Sequence, residues 1–356
     1  MRVLVAMSGG VDSSVAAALL VEQGHEVTGA TLKLWGGPSD SGCCSVADVE
    51  DARRVAQQLG IEHHVFNLTD EFDRAVVTPY VDAHAAGRTP NPCIECNRTM
   101  KFDLLLDRAD RLGFDRLATG HHARVTGATS GLWRLRRGAD ADKDQSYVLS
   151  MLGQGALARV LFPVGEMTKD EVRAHAARLG LRTAGKPDSQ DVCFVGSTEG
   201  RHGFLSQRMA LHRAEVVDVA GRPAGAVEAV ELVTVGQRRG MGHGADGKRR
   251  YVTHVDVPSR RVTVGSAEDI LRASVVLGAS SLCWVDVPLA SGARAVAQVS
   301  AHGRPVSCTV EREHPGEGAG VVVHFDTPQR PVAPGQTVAL YDLAEPDAVV
   351  GAGIAA

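Results

Sequence analysis

Residues Ser8-Gly9-Gly10-Val11-Asp12-Ser13-Ser14 follow the short apolar run Arg2 to Met7 and lead straight into an alanine-rich helical stretch, Val15 to Val21. Strand, glycine turn and helix in that order make a phosphate cradle. Adjacent glycines let the backbone turn tightly and aim several N–H groups at one point, and the helix start adds the positive end of its dipole. The run lacks the lysine and spacing of a Walker A loop and the three spaced glycines of a dinucleotide fingerprint, which counts against ordinary kinases and dehydrogenases. Asp12 would repel a phosphate unless a cation stood between them, so Mg²⁺ is the expected companion of a bound nucleotide. The competing reading is a plain helix N-cap, with Ser8 or Asp12 satisfying free backbone donors.

Around this loop lies a chain of 356 residues, 44% hydrophobic and 22% charged, long enough for two or three cores. No apolar run approaches bilayer-spanning length, and Met1-Arg2 enters a strand without a signal-peptide pattern, so a cytoplasmic protein with no membrane partner is expected. Seven unevenly spread cysteines do not read as a secreted disulfide framework. The net charge of −4 does not advertise nucleic-acid binding, yet Arg124, Arg134, Arg136, Arg137 and Lys143 crowd one region. Arg238, Arg239, Lys248, Arg249 and Arg250 crowd another. Each cluster reads either as a phosphate-contacting patch or as a solvated face.

The hydrophobic period changes partway along. Up to about Gly200, strand-like runs such as Val27 to Leu34 and His63 to Asn67 alternate with helical patterns such as Val49, Ala52, Ala56 and Leu59, which predicts an α/β domain with a parallel sheet. Arg116 to Thr119 supplies a further strand, delivering Gly120-His121-His122 to the edge where such sheets bind ligands. Gly120 is then placed to approach a nucleotide; the alternative is a glycine turn with two solvated histidines. Thr168 and Glu171 make a capping box for a helix ending near Gly180, a structural rather than a chemical feature. Beyond Ala214 come short alternating runs, Glu215 to Val219, Tyr251 to Val255, Arg261 to Val264, Ala295 to Val299, Val321 to Phe325 and Thr337 to Leu340, which read as β domains. Gly240, Gly242 and Gly244 precede no helical pattern and read as a hairpin or loop. Boundaries near 205 and 272 give units 1–205, 206–272 and 273–356.

Asn91-Pro92-Cys93-Ile94-Glu95-Cys96-Asn97 sets two thiols three residues apart after a proline-rich turn, a spacing suited to redox or metal chemistry. Cys193 lies among polar, turn-forming neighbours in Asp188-Ser189-Gln190-Asp191-Val192-Cys193-Phe194, which predicts a loop position. Cys283 and Cys308 sit in β-like apolar runs and read as packing residues. The pair Cys43-Cys44 reads as a loop without an assigned role.

The loop Ser8 to Ser14 resembles the SGGxDS loop of the PP-loop ATP pyrophosphatases, which split ATP between the α- and β-phosphates. Together with Gly87 to Arg98, Ala118 to His121, Lys143 to Tyr147, Phe162 to Gly165, Asp188 to Phe194 and Val235 to Arg238, it resembles the tRNA-specific 2-thiouridylase family along essentially the whole chain. That resemblance implies an α/β PP-loop domain with a parallel sheet, a small central β-rich domain and a C-terminal β-barrel, acting on the wobble uridine of tRNAs for Lys, Glu and Gln. It implies ATP contacts at Ala6, Met7, Ser8, Gly9, Gly10, Val11, Asp12, Ser13, Leu32 and Gly120. Asn91, Pro92 and Cys93 would line the target-base pocket, and His121, Lys143, Asp144 and Gln145 would touch tRNA, with the neighbouring arginines holding its phosphates. Cys193 would carry sulfur as a persulfide received from a donor such as a cysteine desulfurase or relay protein, and Cys96 would form a disulfide with it.

Two departures from the family pattern stand out. Some members have aspartate where this chain has Cys93, so Cys93, Cys96 and Cys193 form a trio that admits an iron–sulfur cluster as an alternative to the persulfide route. An arginine-tyrosine pair seen in some relatives is absent near Ser300 to Arg304, so the resemblance leaves the contacts of the C-terminal barrel with tRNA open. Readings of another class are a PP-loop amide-forming ligase, which would not need the cysteines, and a non-catalytic nucleotide- or RNA-binding protein.

Overall fold

The computed structural model describes residues 1–35, 45–127, 131–188, 192–195, 199–244, 247–285, 287–312 and 320–356; Cys43-Cys44 and Ser189-Gln190-Asp191 lie outside the described residues. The first strand, β1 (Arg2–Ala6), is central to a five-stranded parallel sheet. It is flanked by β2 (Glu26–Lys33) and β4 (Arg116–Thr119), with β3 (Glu62–Asn67) and the short strand Val160–Leu161 at the edges. Because successive strand side chains point to opposite faces, β1 feeds two cores. Val3, Val5 and Met7 pack with α1 (Val11–Glu22) and α2 (Val46–Leu59), while Leu4 packs with Phe72, Tyr80 and Phe102 on the other face. Each fully buried large side chain contributes roughly 1.5–3 kcal/mol, so a strand buried on both faces carries a continuous apolar run rather than an alternating one.

The capping box predicted at Thr168 and Glu171 is present and opens the helix Lys169–Arg178. A hairpin absent from the sequence reading, Ala123–Gly127 with Trp133–Arg137, leaves the end of β4 and reaches the C-terminal part, where Arg136 bridges to Ala348.

The strands Tyr251–Asp256, Arg261–Gly265, Ala214–Asp218 and Pro223–Val227 form a four-stranded sheet over the core of Val216, Val230, Val252 and Val262. The glycines at 240, 242 and 244 belong to a small bridged loop, in which Gly244 N–H donates to Lys248 O at 2.8 Å. A seven-stranded antiparallel sheet runs from Arg272–Leu277 to Cys283–Trp284. A Leu277–Ala355 bridge and the Gly278 N–H to Ile354 O bond at 3.0 Å close it into a barrel. Cys308 is fully buried in that barrel core, as expected of a packing residue. Among the described residues no helix is long and apolar enough to cross a membrane.

Candidate active site

A cavity of about 540 Å³ opens at the C-terminal end of the parallel strands, the position where open α/β sheets bind ligands. Every predicted site residue lines it except Gly9 and Asn91, and Ala301 and His302 from the barrel complete its wall.

The cradle is open to a ligand. Gly10 holds the N-cap position of α1 and no side chain caps the helix, so neither Ser8 nor Asp12 takes the capping role. Ser8 N–H instead donates to Ser13 Oγ at 3.2 Å, and Ser14 Oγ donates to Gly10 O at 2.7 Å. Gly9 has φ +74°, and a Cβ there would lie 2.2 Å from Asp48 O. The turn is gripped from that side: Lys186 Nζ donates to Gly9 O at 2.9 Å and to the carboxylates of Asp48 and Asp51 at 2.6 and 2.8 Å. Gly120 serves packing: a Cβ there would sit 2.4 Å from Ser13 N, so its missing side chain lets the end of β4 press against the start of α1.

The cation beside Asp12 comes from the chain itself. Lys169 Nζ donates to both Asp12 oxygens at 2.8 Å and lies 2.9 Å from Asp188, while His122 Nε2 donates to Asp12 at 3.1 Å. An ammonium already balances that carboxylate, so the charge of Asp12 alone does not call for Mg²⁺. Burial by itself raises the Asp12 carboxyl, but the hydrogen bonds from His122 and Lys169 outweigh it and hold the group below its usual range. Asp188 follows the same logic; burial raises it, and Lys143 and Lys169 bring it down to about 2.

Lys169 escaped the sequence reading, although one signal was present. A lysine in the first turn of a helix opposes the helix dipole unless a carboxylate faces it.

Both histidines are buried, which corrects the reading of solvated residues. His121 sits between the rings of Phe102 and Phe162, with Nδ1 2.6 Å from Thr119 Oγ1, and burial followed by the fields of Lys101 and His122 holds it well below its ordinary value, hence neutral. Gln145 is occupied in clamping His122, accepting its N–H at 2.9 Å. Asp144 is a structural hub: it accepts from Arg137, from Gly138 N–H and from both N–H and Oγ of Ser146 at 2.7–3.0 Å.

The four arginines of the first cluster are engaged within the chain. Arg124 and Arg136 pair with Asp347 at 3.0 and 2.8 Å, Arg134 and Arg136 pair with Glu345, and Arg137 stacks 3.8 Å over the Tyr341 ring. These contacts clamp the hairpin to the barrel. An Arg136→Ala, Asp347→Ala double-mutant cycle is expected to give a coupling energy of about 1 kcal/mol in chemical denaturation, shrinking with added salt. In the second cluster Arg238, Arg239 and Arg249 are exposed.

All three predicted thiols meet in the cavity. Asn91 caps the turn Pro92–Glu95, accepting from Cys93 N–H at 3.1 Å, so it shapes the wall without lining it. Cys96 opens a π-helical stretch, Cys96–Leu104, a widened turn of the kind often found at functional sites. Cys193 is brought across from the far segment, where Val192 N–H donates to Cys93 Sγ at 3.3 Å. Phe194 beside it is buried edge-on against Phe72, Tyr80 and Phe204, fixing the thiol's backbone. Among the described residues no group of three or more His, Cys, Asp or Glu side chains is arranged as a metal site.

Fold and site together define an α/β enzyme-type domain with a phosphate cradle and a thiol-lined cavity, followed by two β units. Residues 1–197 match the family model described as a tRNA methyl transferase HUP domain, residues 202–266 its PRC-barrel domain, and residues 274–355 an aminomethyltransferase beta-barrel domain. The chain is 46% identical to the tRNA-specific 2-thiouridylase MnmA of Roseiflexus sp. (strain RS-1), over 99% of this chain and 98% of that one. It is 45% identical to the protein of the same name from Mycobacteroides abscessus, over 99% of both. The chain belongs to the tRNA-specific 2-thiouridylase family. Among solved structures, a 4-thiouridine synthetase–RNA complex with bound ATP is similar at 20% identity and a TM-score of 0.38, covering 54% of this chain and 44% of that one.

Proposed function

We propose that this protein is a tRNA-uridine 2-sulfurtransferase, using ATP to activate O2 of the wobble uridine and a cysteine persulfide to replace it with sulfur. The observation that carries the reading is that one cavity holds both an uncapped glycine cradle and three thiols. An amide-forming ligase would use the first and leave the second without purpose.

The target base must leave the anticodon stack to enter such a cavity. Its O2 attacks the α-phosphorus, the bond to the β-phosphate breaks, and pyrophosphate departs with the electron pair. Backbone N–H groups of Gly10 to Ser13 face the phosphates, and Mg²⁺ accompanies ATP as its usual counterion. The terminal sulfur of a Cys193 persulfide then attacks C2 and AMP leaves. Cys96 thiolate attacks the Cys193 sulfur, forming a Cys96–Cys193 disulfide and releasing 2-thiouridine, and an external thiol reductant resets the pair. The persulfide comes from a desulfurase or relay protein.

Pro92, Cys93 and His121 bound the base, Leu32 packs on the adenosine side, and Lys143 lies where RNA phosphate enters. The exposed arginines at 238, 239 and 249 offer further sequence-independent phosphate contacts. We keep 1–205, 206–272 and 273–356 as the working domain division, and a cytoplasmic location follows from the substrate.

Incubation with ATP, Mg²⁺, a persulfide donor and unmodified tRNA is expected to yield pyrophosphate and 2-thiouridine together. Pyrophosphate without thiouridine, under anaerobic and aerobic conditions alike, would overturn the reading.

A further inference from the structure

The stretch Cys96–Leu104 winds as a π-helix, and Cys96, Asn97 and Lys101 on it line the cavity. Asn97 is only 5% exposed, and its amide is half satisfied. Nδ2 donates to the backbone carbonyl of Val148 at 3.3 Å, while Oδ1 is buried with no hydrogen-bond partner among the described residues. An unpaired amide oxygen sealed from water destabilises a fold, and a leucine of similar size would avoid that cost. Among the described residues, two cavity-lining side chains hold such an orphaned atom, His122 at Nδ1 and Asn97 at Oδ1. His122 stands with Asp12 at the cradle end, whereas Asn97 adjoins the Cys96 thiol at the other.

Uridine and cytidine carry the same O2, so a site that activates O2 must tell the two apart elsewhere on the ring. Uracil offers N3–H as a donor and O4 as an acceptor; cytosine offers the reverse, a lone pair at N3 and an amino group at C4. We propose that Asn97 selects the target base: Oδ1 accepts from uracil N3–H and the second Nδ2 hydrogen donates to O4, a bidentate pair that leaves O2 free to meet ATP. The inference rests on the uridine-thiolation reading above and names the group that chooses its base. An amide alone could turn over and pair equally well with cytosine. Val148 prevents this, because its carbonyl holds Nδ2 on its own side and a flipped amide would set Oδ1 against that oxygen, acceptor to acceptor. At 3.3 Å the bond is long, which lets the amide tilt toward the cavity that Asn97 and Val148 both line without losing its sense. Asn97 moves no proton; it sets specificity.

The test measures binding of anticodon stem-loop RNAs that differ only at the wobble position, with α,β-methylene ATP and Mg²⁺ present, next to a thiolation assay on unmodified tRNA. Backbone contacts carry the affinity common to all the loops. The unaltered protein is expected to bind the uridine loop at least about tenfold more tightly than the cytidine loop, within the usual worth of a bidentate base contact. A loop with 3-methyluridine, which lacks the N3 proton, should bind like cytidine, whereas 5-methyluridine keeps its pairing edge and should bind like uridine. Asn97→Leu should bring the uridine loop to within about twofold of the cytidine loop. The same variant should hold the cytidine loop within about threefold of the unaltered protein, which shows that it is folded. A merely structural role for Asn97 would weaken both loops alike. The methylated loops need no variant and decide the matter if Asn97→Leu fails to fold. A uridine preference that survives in Asn97→Leu, 3-methyluridine bound as tightly as uridine, or no preference in the unaltered protein overturns the proposal. Should that happen while 2-thiouridine still forms, the function stands and the Asn97 assignment alone falls; absence of 2-thiouridine from unmodified tRNA overturns the function itself.

Discussion

Replacing Cys193 with serine is expected to lower 2-thiouridine formation at least about a thousandfold while ATP binding stays within a few-fold of the unaltered protein. Serine matches cysteine closely in size, and Phe194 still anchors the segment through its contacts with Phe72, Tyr80 and Phe204. What changes is chemistry: a hydroxyl cannot hold a sulfane sulfur, so no nucleophilic sulfur is delivered to C2. Adenylation does not use that thiol, and a first turnover of pyrophosphate should persist in a rapid-quench measurement. Cys96→Ser should differ, accepting sulfur on Cys193 but stalling before product release. Thiouridine at near-normal rates from the Cys193→Ser protein, with a persulfide as the sole donor, would remove Cys193 from the reaction.

Gly9→Ala should be the most damaging single-methyl addition in the cradle. Its φ of +74° lies in the left-handed region, where a Cβ costs roughly 1–2 kcal/mol. The added carbon would also lie 2.2 Å from Asp48 O and 2.8 Å from Asp48 C, both backbone atoms that cannot rotate away. The turn must move off α2, breaking the grip of Lys186 on Gly9 O and Asp48. A stability loss of about 2–3 kcal/mol by chemical denaturation is expected, together with a rise in the KM for ATP of at least about tenfold. Gly10→Ala is the control: its nearest neighbour to a new Cβ is Ser8 Oγ at 3.5 Å and its φ is −90°, so the effect there should be slight. Equal behaviour of the two variants would show that the close approach to Asp48 plays no part.

The difference between these glycines marks the boundary of what a sequence reveals. The strand Arg2–Ala6 was legible because burial on both faces writes itself as an uninterrupted apolar run, Val3-Leu4-Val5-Ala6. The Thr168–Glu171 capping box was legible because its two partners are three residues apart. The hairpin of Ala123–Gly127 and Trp133–Arg137 was not, since its arginines look like a solvated or RNA-facing patch until Glu345 and Asp347 arrive from more than two hundred residues away. The capping box itself was read as structural only, yet its purpose in the site is to aim Lys169 at Asp12, a pair separated by 157 positions.

By itself the sequence determined the strand, glycine turn and helix of the cradle, the change from α/β to β periodicity, and the identity of the three thiols. All of these are written in neighbouring residues, through backbone freedom, side-chain period and side-chain chemistry. Only the tertiary structure decided that Lys169 balances Asp12, that Lys186 pins Gly9, that both histidines are buried, and that Cys93, Cys96 and Cys193 share one cavity. Charge balance and burial depend on which distant groups the fold brings within a few ångströms, and no local pattern encodes that distance.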